Sequence, residues 1–376
     1  MRILIAPDKF KGSLGAPDVA RAMAEGARRA LPDASIEMRP LADGGEGTID
    51  ALLAALGGDV ATVEVSGPLG EAVLARWARL ADGRAALEAA AASGLVLLDE
   101  AHRDALRASS RGTGELIAAA IDADGVRELI VGIGGTASTD GGTGAASALG
   151  WRFLDGRGRA VGPGGAALRD LRRIDGDGVA ERLRDVRVLG ACDVGSPLLG
   201  EDGAARTFAP QKGATGPEVE VLEEGLATLA EAARRDLGAE VAGAWAAGAG
   251  GGLGAGLLLF FGATLRGGFE LLAKASDLEG AIADSEIVVT GEGRLDDQSA
   301  AGKVPAGVAH LARAHGVRCV AIAGEVDVDV AHALGFDDTA SLVAEVGRAR
   351  AFEEPEAALA EVTERLLGNG PRHSDL

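Results

Sequence analysis

The stretch Ile287-Val-Val-Thr-Gly-Glu-Gly-Arg-Leu-Asp-Asp-Gln-Ser-Ala-Ala-Gly-Lys303 decides how the chain is read. Ile287, Val288 and Val289 are β-branched in a row, the character of a strand buried on both faces of a parallel sheet. The reading ends the strand there and opens a loop carrying Glu292, Arg294, Asp296 and Asp297 between glycines, ahead of a helix that ends near His315. Open α/β sheets bind ligands beyond the carboxyl ends of their strands. A connection between strand and helix is usually shorter and less charged. This one is therefore a candidate site.

Composition bounds the rest. A chain of 376 residues has room for two domains and a large core. The net charge of −20, with no basic patch to offset it, argues against a nucleic-acid partner or an anionic membrane surface. Cys192 and Cys319 give neither a disulfide framework nor a metal spacing, as expected in a reducing cytoplasm. The histidines at 102, 310, 315, 332 and 373 form no zinc pattern. Met1 to Ala6 opens as a strand without the pattern of a signal peptide. The longest apolar run, Leu253 to Leu265, is interrupted by glycines and too short to cross a bilayer. The expectation is a soluble cytoplasmic enzyme.

An acidic protein that handles anions must gather its positive charge locally. The chain uses arginine almost throughout, and its lysines are confined to positions 9, 11, 212, 274 and 303. All but Lys274 lie in or beside glycine-containing loops. A lysine ammonium is a compact point charge suited to phosphate oxygens.

Taken in order, Arg2–Ala6 reads as a strand, and the helix from Gly15 to about Leu31 begins with Gly at the N-cap and Pro17 in its first turn. Lys9, Lys11, Gly12 and Ser13 thus fall between a strand end and a helix N-terminus, where free N–H groups favour anions. A second strand, Ile36–Pro40, leads into Asp43-Gly44-Gly45-Glu46-Gly47-Thr48 and a helix from Ile49. Val60–Val65 is a strand. Val73–Leu80 and Ala85–Ala89 read as a hairpin around Asp82-Gly83. After a helix from Ser109 to Ala123, the strand Arg127–Val131 runs into Gly132-Ile-Gly-Gly-Thr136-Ala-Ser138-Thr139-Asp140-Gly-Gly-Thr143-Gly144. Such a turn exposes backbone amides as an anion nest, with hydroxyls as further donors. Val186–Ala191 is a strand ending at Cys192-Asp193, and a long helix spans Pro217–Leu237. Ala247–Gly256 admits close packing or a flexible hinge as readily as ligand contact. Strands follow at Cys319–Ala323 and near Ser341–Ala344, and a last helix at Glu356–Leu367. The hairpin breaks the βα rhythm, and a domain crossing is placed there.

Several strand ends thus share glycines, a carboxylate and often a lysine. Phosphoryl transfer needs that set, because its catalysis is mostly positioning and charge neutralisation around a nucleotide and Mg²⁺. Asp193, Glu292 and Asp296 are candidate Mg²⁺ ligands. No G-x-x-x-x-G-K-[ST], G-x-G-x-x-G or G-x-S-x-G pattern occurs. The residues alone point to an α/β enzyme for an anionic ligand and leave the substrate open.

Longer motifs narrow this. Ala6-Pro-Asp-Lys-Phe-Lys-Gly-Ser-Leu14, Leu41-Ala-Asp-Gly-Gly-Glu-Gly-Thr48 and the Gly132–Gly144 stretch resemble the bacterial glycerate kinase family. So do Cys192-Asp-Val with Pro-Leu-Leu-Gly200, Pro210-Gln-Lys-Gly-Ala214, and Thr290-Gly-Glu-Gly-Arg-Leu-Asp296 with Gln298, Ser299, Gly302 and Lys303. The motifs come in family order over nearly the whole chain. Departures are Gly195-Ser196 where Asp-Asn is common, Thr136-Ala-Ser138-Thr139 where Ser-Ala-Thr-Asn is common, and Arg111 where an aromatic is frequent.

The resemblance implies ATP- and Mg²⁺-dependent phosphorylation of D-glycerate, with 2-phosphoglycerate as the product of the best-known bacterial members. Formation of 3-phosphoglycerate, or a non-catalytic hydroxy-acid sensor, stays open. The implied architecture is two α/β domains, one Rossmann-like, discontinuous and built on a parallel sheet, with the active site in the cleft between them. The expected division is 1–65, 94–150 and 276–376 against 66–93 and 151–275. Asp193, Lys9, Arg294 and Lys212 are the expected catalytic residues. Asp8, Lys11, Ser13, Asp43, Gly44, Gly45, Glu46, Gly134, Gly135, Thr136, Ser138 and Lys303 are expected to bind substrate or phosphate, and Glu292 and Asp296 metal. A monomer or homodimer is expected.

Overall fold

The structure is a computed structural model that describes residues 1–179, 181–300 and 303–368. Its strands, in chain order, are β1 (Arg2–Ile5), β2 (Ser35–Met38), β3 (Gly58–Ser66), β4 (Ala72–Leu80), β5 (Ala85–Glu88), β6 (Glu128–Gly132) and β7 (Arg152–Leu154). They continue with β8 (Arg173–Asp175), β9 (Arg187–Ala191), β10 (Thr264–Arg266), β11 (Ile287–Leu295), β12 (Arg318–Val326) and β13 (Asp338–Ser341). The chain divides into two compact α/β units, one of residues 1–43, 50–57 and 268–376, the other of 44–49 and 58–267.

The first unit is built on a five-stranded parallel sheet in the order β13-β12-β11-β1-β2. Its apolar strands alternate between two cores, because successive side chains point to opposite faces. Ile3, Ile5, Ile287 and Val289 join Val19 and Met23 of the helix Ala16–Ala30. Leu4, Val288 and Cys319 join Val304, Val308 and Ala312 of the helix Val304–Ala314 on the other face. From β1 the chain winds to β2 on one side, and from β11 to β12 and β13 on the other. The winding therefore reverses between β1 and β11, the place where doubly wound sheets leave a crevice at the carboxyl ends.

The second unit carries a six-stranded sheet in the order β10-β9-β6-β5-β4-β3, parallel from β10 to β5 and antiparallel from β5 to β3. The expected hairpin is present as β4 and β5. The helix Gly216–Leu237 begins at a capping box, with Thr215 and Glu218 bonding reciprocally.

Three expectations are corrected. The strand from Ile287 does not stop at Val289 but stays paired with β12 as far as Leu295, so Glu292 and Arg294 lie on strand rather than loop. Glycine makes this continuation possible, since a Cβ at Gly291 would collide with the Ile322 carbonyl. Residues 94–150, and 58–65 with them, belong to the second unit: β6 is bonded between β5 and β9, and β3 to β4. Leu129-Ile130-Val131 would suit either sheet, and local pattern does not choose between them. Leu342–Val346 is helical, capped by the Ser341 hydroxyl, where strand was expected to run on.

Ala247–Gly256 is close packing. Gly250, Gly251 and Gly252 have φ of 62°, 70° and 86° inside the helix Ala249–Phe261, and a Cβ at Gly252 would lie 2.8 Å from the Gly141 Cα. No described helix is long and apolar enough to cross a membrane.

Candidate active site

In the first unit the parallel pairing of β1 with β11 continues past the strand end. The Ala6 and Asp8 amides donate to the Val289 and Gly291 carbonyls, each at 2.8 Å, and the Thr290 hydroxyl donates to the Ala6 carbonyl at 2.7 Å. This register sets Asp8, just past the end of β1, along β11, which carries Glu292, at the reversal of winding. Both are buried, at 5% and 7% exposure. Burial pushes Asp8 up to about 6, with the Lys9 charge opposing and the Asp43 charge adding. Burial likewise pushes Glu292 up to about 7, against a Ser299 hydrogen bond and the Lys303 charge, and with help from Asp8 and Asp296. Two buried carboxylates are thus held close to the point of sharing protons with neutral solution.

Cations flank the pair. The Lys9 ammonium lies 3.1 Å from Asp43 and 3.8 Å from Asp8. Lys303 stands at the N-cap of Val304–Ala314, where its charge acts on both Asp8 and Glu292. Arg294 is exposed, 3.4 Å from Asp296 and 3.9 Å from Glu325, and Lys11 and Ser13 line the same small cavity as Arg294. Gly302 and the Gln298 side chain lie outside the described residues. The structure therefore gathers Asp8, Lys9, Lys11, Ser13, Asp43, Glu292, Arg294, Asp296 and Lys303 in one unit.

Among the described residues no three His, Cys, Asp or Glu side chains are arranged to hold a metal. Mg²⁺ is commonly bound through one or two carboxylates with water completing its shell. Glu292 suits that role: its buried Oε1 has no hydrogen-bond partner, and such an atom is costly without one.

The second unit holds Gly44, Gly45, Glu46, Gly134, Gly135, Thr136, Ser138, Asp193 and Lys212. At Gly44 φ is 86° and a Cβ would lie 2.8 Å from the Ala191 carbonyl carbon, so only glycine fits. Glu88, which the sequence reading passed over at the end of an apolar strand, accepts from the Gly47 and Ile49 amides at 3.0 Å each and fixes this turn. Glu46 and Asp193 are exposed.

The Gly132–Gly144 turn surrounds a buried lysine. Lys212 is 3% exposed, and its ammonium donates to the Ser138 carbonyl at 2.6 Å. Burial pulls it down to about 7, with Asp140 opposing. The hydroxyls of Thr136, Ser138 and Thr139 are buried without a hydrogen-bond partner. Donors left so are a fit for an anion. Asp140, which sequence reasoning did not single out, holds the turn in place. It accepts from the Ser110 amide and hydroxyl at 2.8 and 2.9 Å, the Ser109 hydroxyl at 3.3 Å, and the Gly142 and Gly144 amides at 3.1 and 3.2 Å. Burial and then the Asp193 charge push the Cys192 thiol up to about 12.

The chain is similar to known proteins over nearly its whole length. The model of the glycerate kinase family matches residues 3–369. Glycerate 2-kinase of Escherichia coli K12 is 45% identical over 350 residues, 92% of each chain. Glycerate kinase of Bacillus subtilis 168 is 45% identical over 346 residues, 91% of this chain and 90% of its own. A crystal structure named provisionally as glycerate kinase 2 from Salmonella typhimurium LT2 superimposes with a TM-score of 0.89 at 42% identity, covering 98% of both chains. The chain belongs to the glycerate kinase family.

Proposed function

We propose that this enzyme transfers the terminal phosphoryl group of ATP to D-glycerate with Mg²⁺ present, giving 2-phosphoglycerate. The observation that carries the reading is the buried Asp8–Glu292 pair, flanked by Lys9 and Lys303 where the first sheet reverses its winding. The names of the relatives support glycerate as the acceptor, and the Escherichia coli name supports its 2-hydroxyl.

An acceptor hydroxyl oxygen forms a bond to the terminal phosphorus, the bond from that phosphorus to the bridging oxygen of ADP breaks, and the hydroxyl proton passes to a carboxylate. Asp193 is the proposed proton acceptor. Glu292 and Asp296 would hold Mg²⁺, which when bound neutralises charge on phosphate oxygens. Lys9, Lys11, Ser13, Lys303 and Arg294 attract and orient the reactants' anionic groups and offset the charge that spreads over the transferring oxygens. In the second unit Gly134, Gly135, Thr136, Ser138 and Lys212 take a further anionic group of a reactant.

Coupled detection of ADP tests this. ADP should form only when D-glycerate is present. Tight glycerate binding without ADP would instead mark a sensor.

A further inference from the structure

The first unit also has a cavity of about 140 Å³ at the ends of β11 and β12, whose lining goes beyond what phosphate binding needs. Lys11, Arg294, Glu325, Arg348 and Phe352 are among the residues that line it. Phe352 is 57% exposed. An aromatic left in water is notable in a chain only 3% aromatic. The Arg348 guanidinium lies over that ring, 5.4 Å from its centre, and is tied to Glu325 at 2.7 Å. Glu325, on β12, also faces Arg294 at 3.9 Å. An aromatic ring with a guanidinium over it, a carboxylate and two further cations therefore line one cavity at the ends of β11 and β12.

We infer that this cavity receives the nucleoside end of the phosphoryl donor. The base stacks on Phe352 and Arg348, Glu325 accepts hydrogen bonds from ribose hydroxyls, and Lys11 and Arg294 face the phosphates. Every base has a π face that can stack on an aromatic or a guanidinium. Carboxylates at the ends of parallel strands accept from ribose hydroxyls in the same way in doubly wound folds. The inference rests on the reading that a nucleotide is the donor. An apolar partner surface, such as a second copy of the chain, is the competing use of an exposed Phe352.

Calorimetric titration of the full chain with ADP and with inorganic tripolyphosphate separates these uses, and needs no turnover. Phe352→Ala should weaken ADP about ten-fold or more and leave tripolyphosphate within two-fold, while Phe352→Trp retains ADP affinity. Equal weakening of both ligands, or of neither, overturns the inference. So does a change of oligomeric state on gel filtration with ADP binding intact. Wild type that binds ADP with this pattern but releases no ADP from ATP and glycerate would contradict the proposed reaction and leave the nucleoside site standing.

Discussion

Asp8, just past the end of β1, and Glu292, within the neighbouring parallel strand β11, are both buried, and the charge of Asp8 adds to the burial that pushes Glu292 up to about 7. Burying two acids side by side costs stability unless a cation or a proton is supplied. The fold tolerates that cost at the place where its sheet reverses winding.

The sign of the resulting pH dependence follows. The folded-state pKa of Glu292 is raised from 4.5, so the native state binds more protons between about 4.5 and 7. Stability therefore falls as pH rises through that window. In buffer free of divalent cations, Glu292→Gln should be more stable than wild type at pH 8, by roughly 1–3 kcal/mol, and equal to it near pH 4. Urea titrations at both pH values check this; a variant less stable at pH 8 contradicts it.

Lys212 has the opposite slope. Its folded-state pKa is pulled down from 10.5 to about 7, so the unfolded chain binds more protons between those values and stability rises with pH across the window. Lys212→Met should flatten that rise in thermal melts. It should also lower kcat/KM by roughly 100-fold or more, the scale of removing one electrostatic contact to a bound anion.

Asp140 binds five donors on the Gly132–Gly144 turn and its neighbours. Asp140→Asn would set an amide NH₂ against donors where a carboxylate now accepts. The loss should be roughly 2–4 kcal/mol in denaturant unfolding. A loss under about 0.5 kcal/mol, the scale of an uninvolved surface change, would deny Asp140 its positioning role.

The lysines divide by place. Lys9, bonded to Asp43 beside Asp8, should on replacement by Ala lower kcat/KM roughly 100-fold or more. Lys274 lies in the helix Gly268–Ala275, and Lys274→Ala should leave kinetics within two-fold. Comparable losses in both variants would remove the lysine argument.

Excess EDTA should abolish phosphorylation of glycerate, and added Mg²⁺ should restore it. Full activity under chelation would exclude Glu292 and Asp296 as metal ligands.

Local pattern made part of this legible. The caps of the helix Ala16–Ala30, the hairpin of β4 and β5 and the apolar core of β11 depend on neighbours in sequence. Glycine and lysine placement picked out the loops that bring Asp8, Lys9, Glu292 and Lys303 into one unit. Long-range choices were not legible. Nothing near β6 says that it pairs with β9, and nothing near Asp140 says that Ser109 and Ser110 bond to it. The extension of β11 to Leu295 depended on glycines whose partner, β12, lies further along the chain. Phe352 and Arg348 carry no motif; only folding sets them beside Glu325.

Phosphorus NMR of the product formed from ATP and D-glycerate tests the central claim most directly. The account predicts ADP and a phosphomonoester signal split into a doublet by the single proton on C2, the mark of 2-phosphoglycerate. A triplet from the C3 methylene protons, or no new phosphomonoester at all, would contradict it.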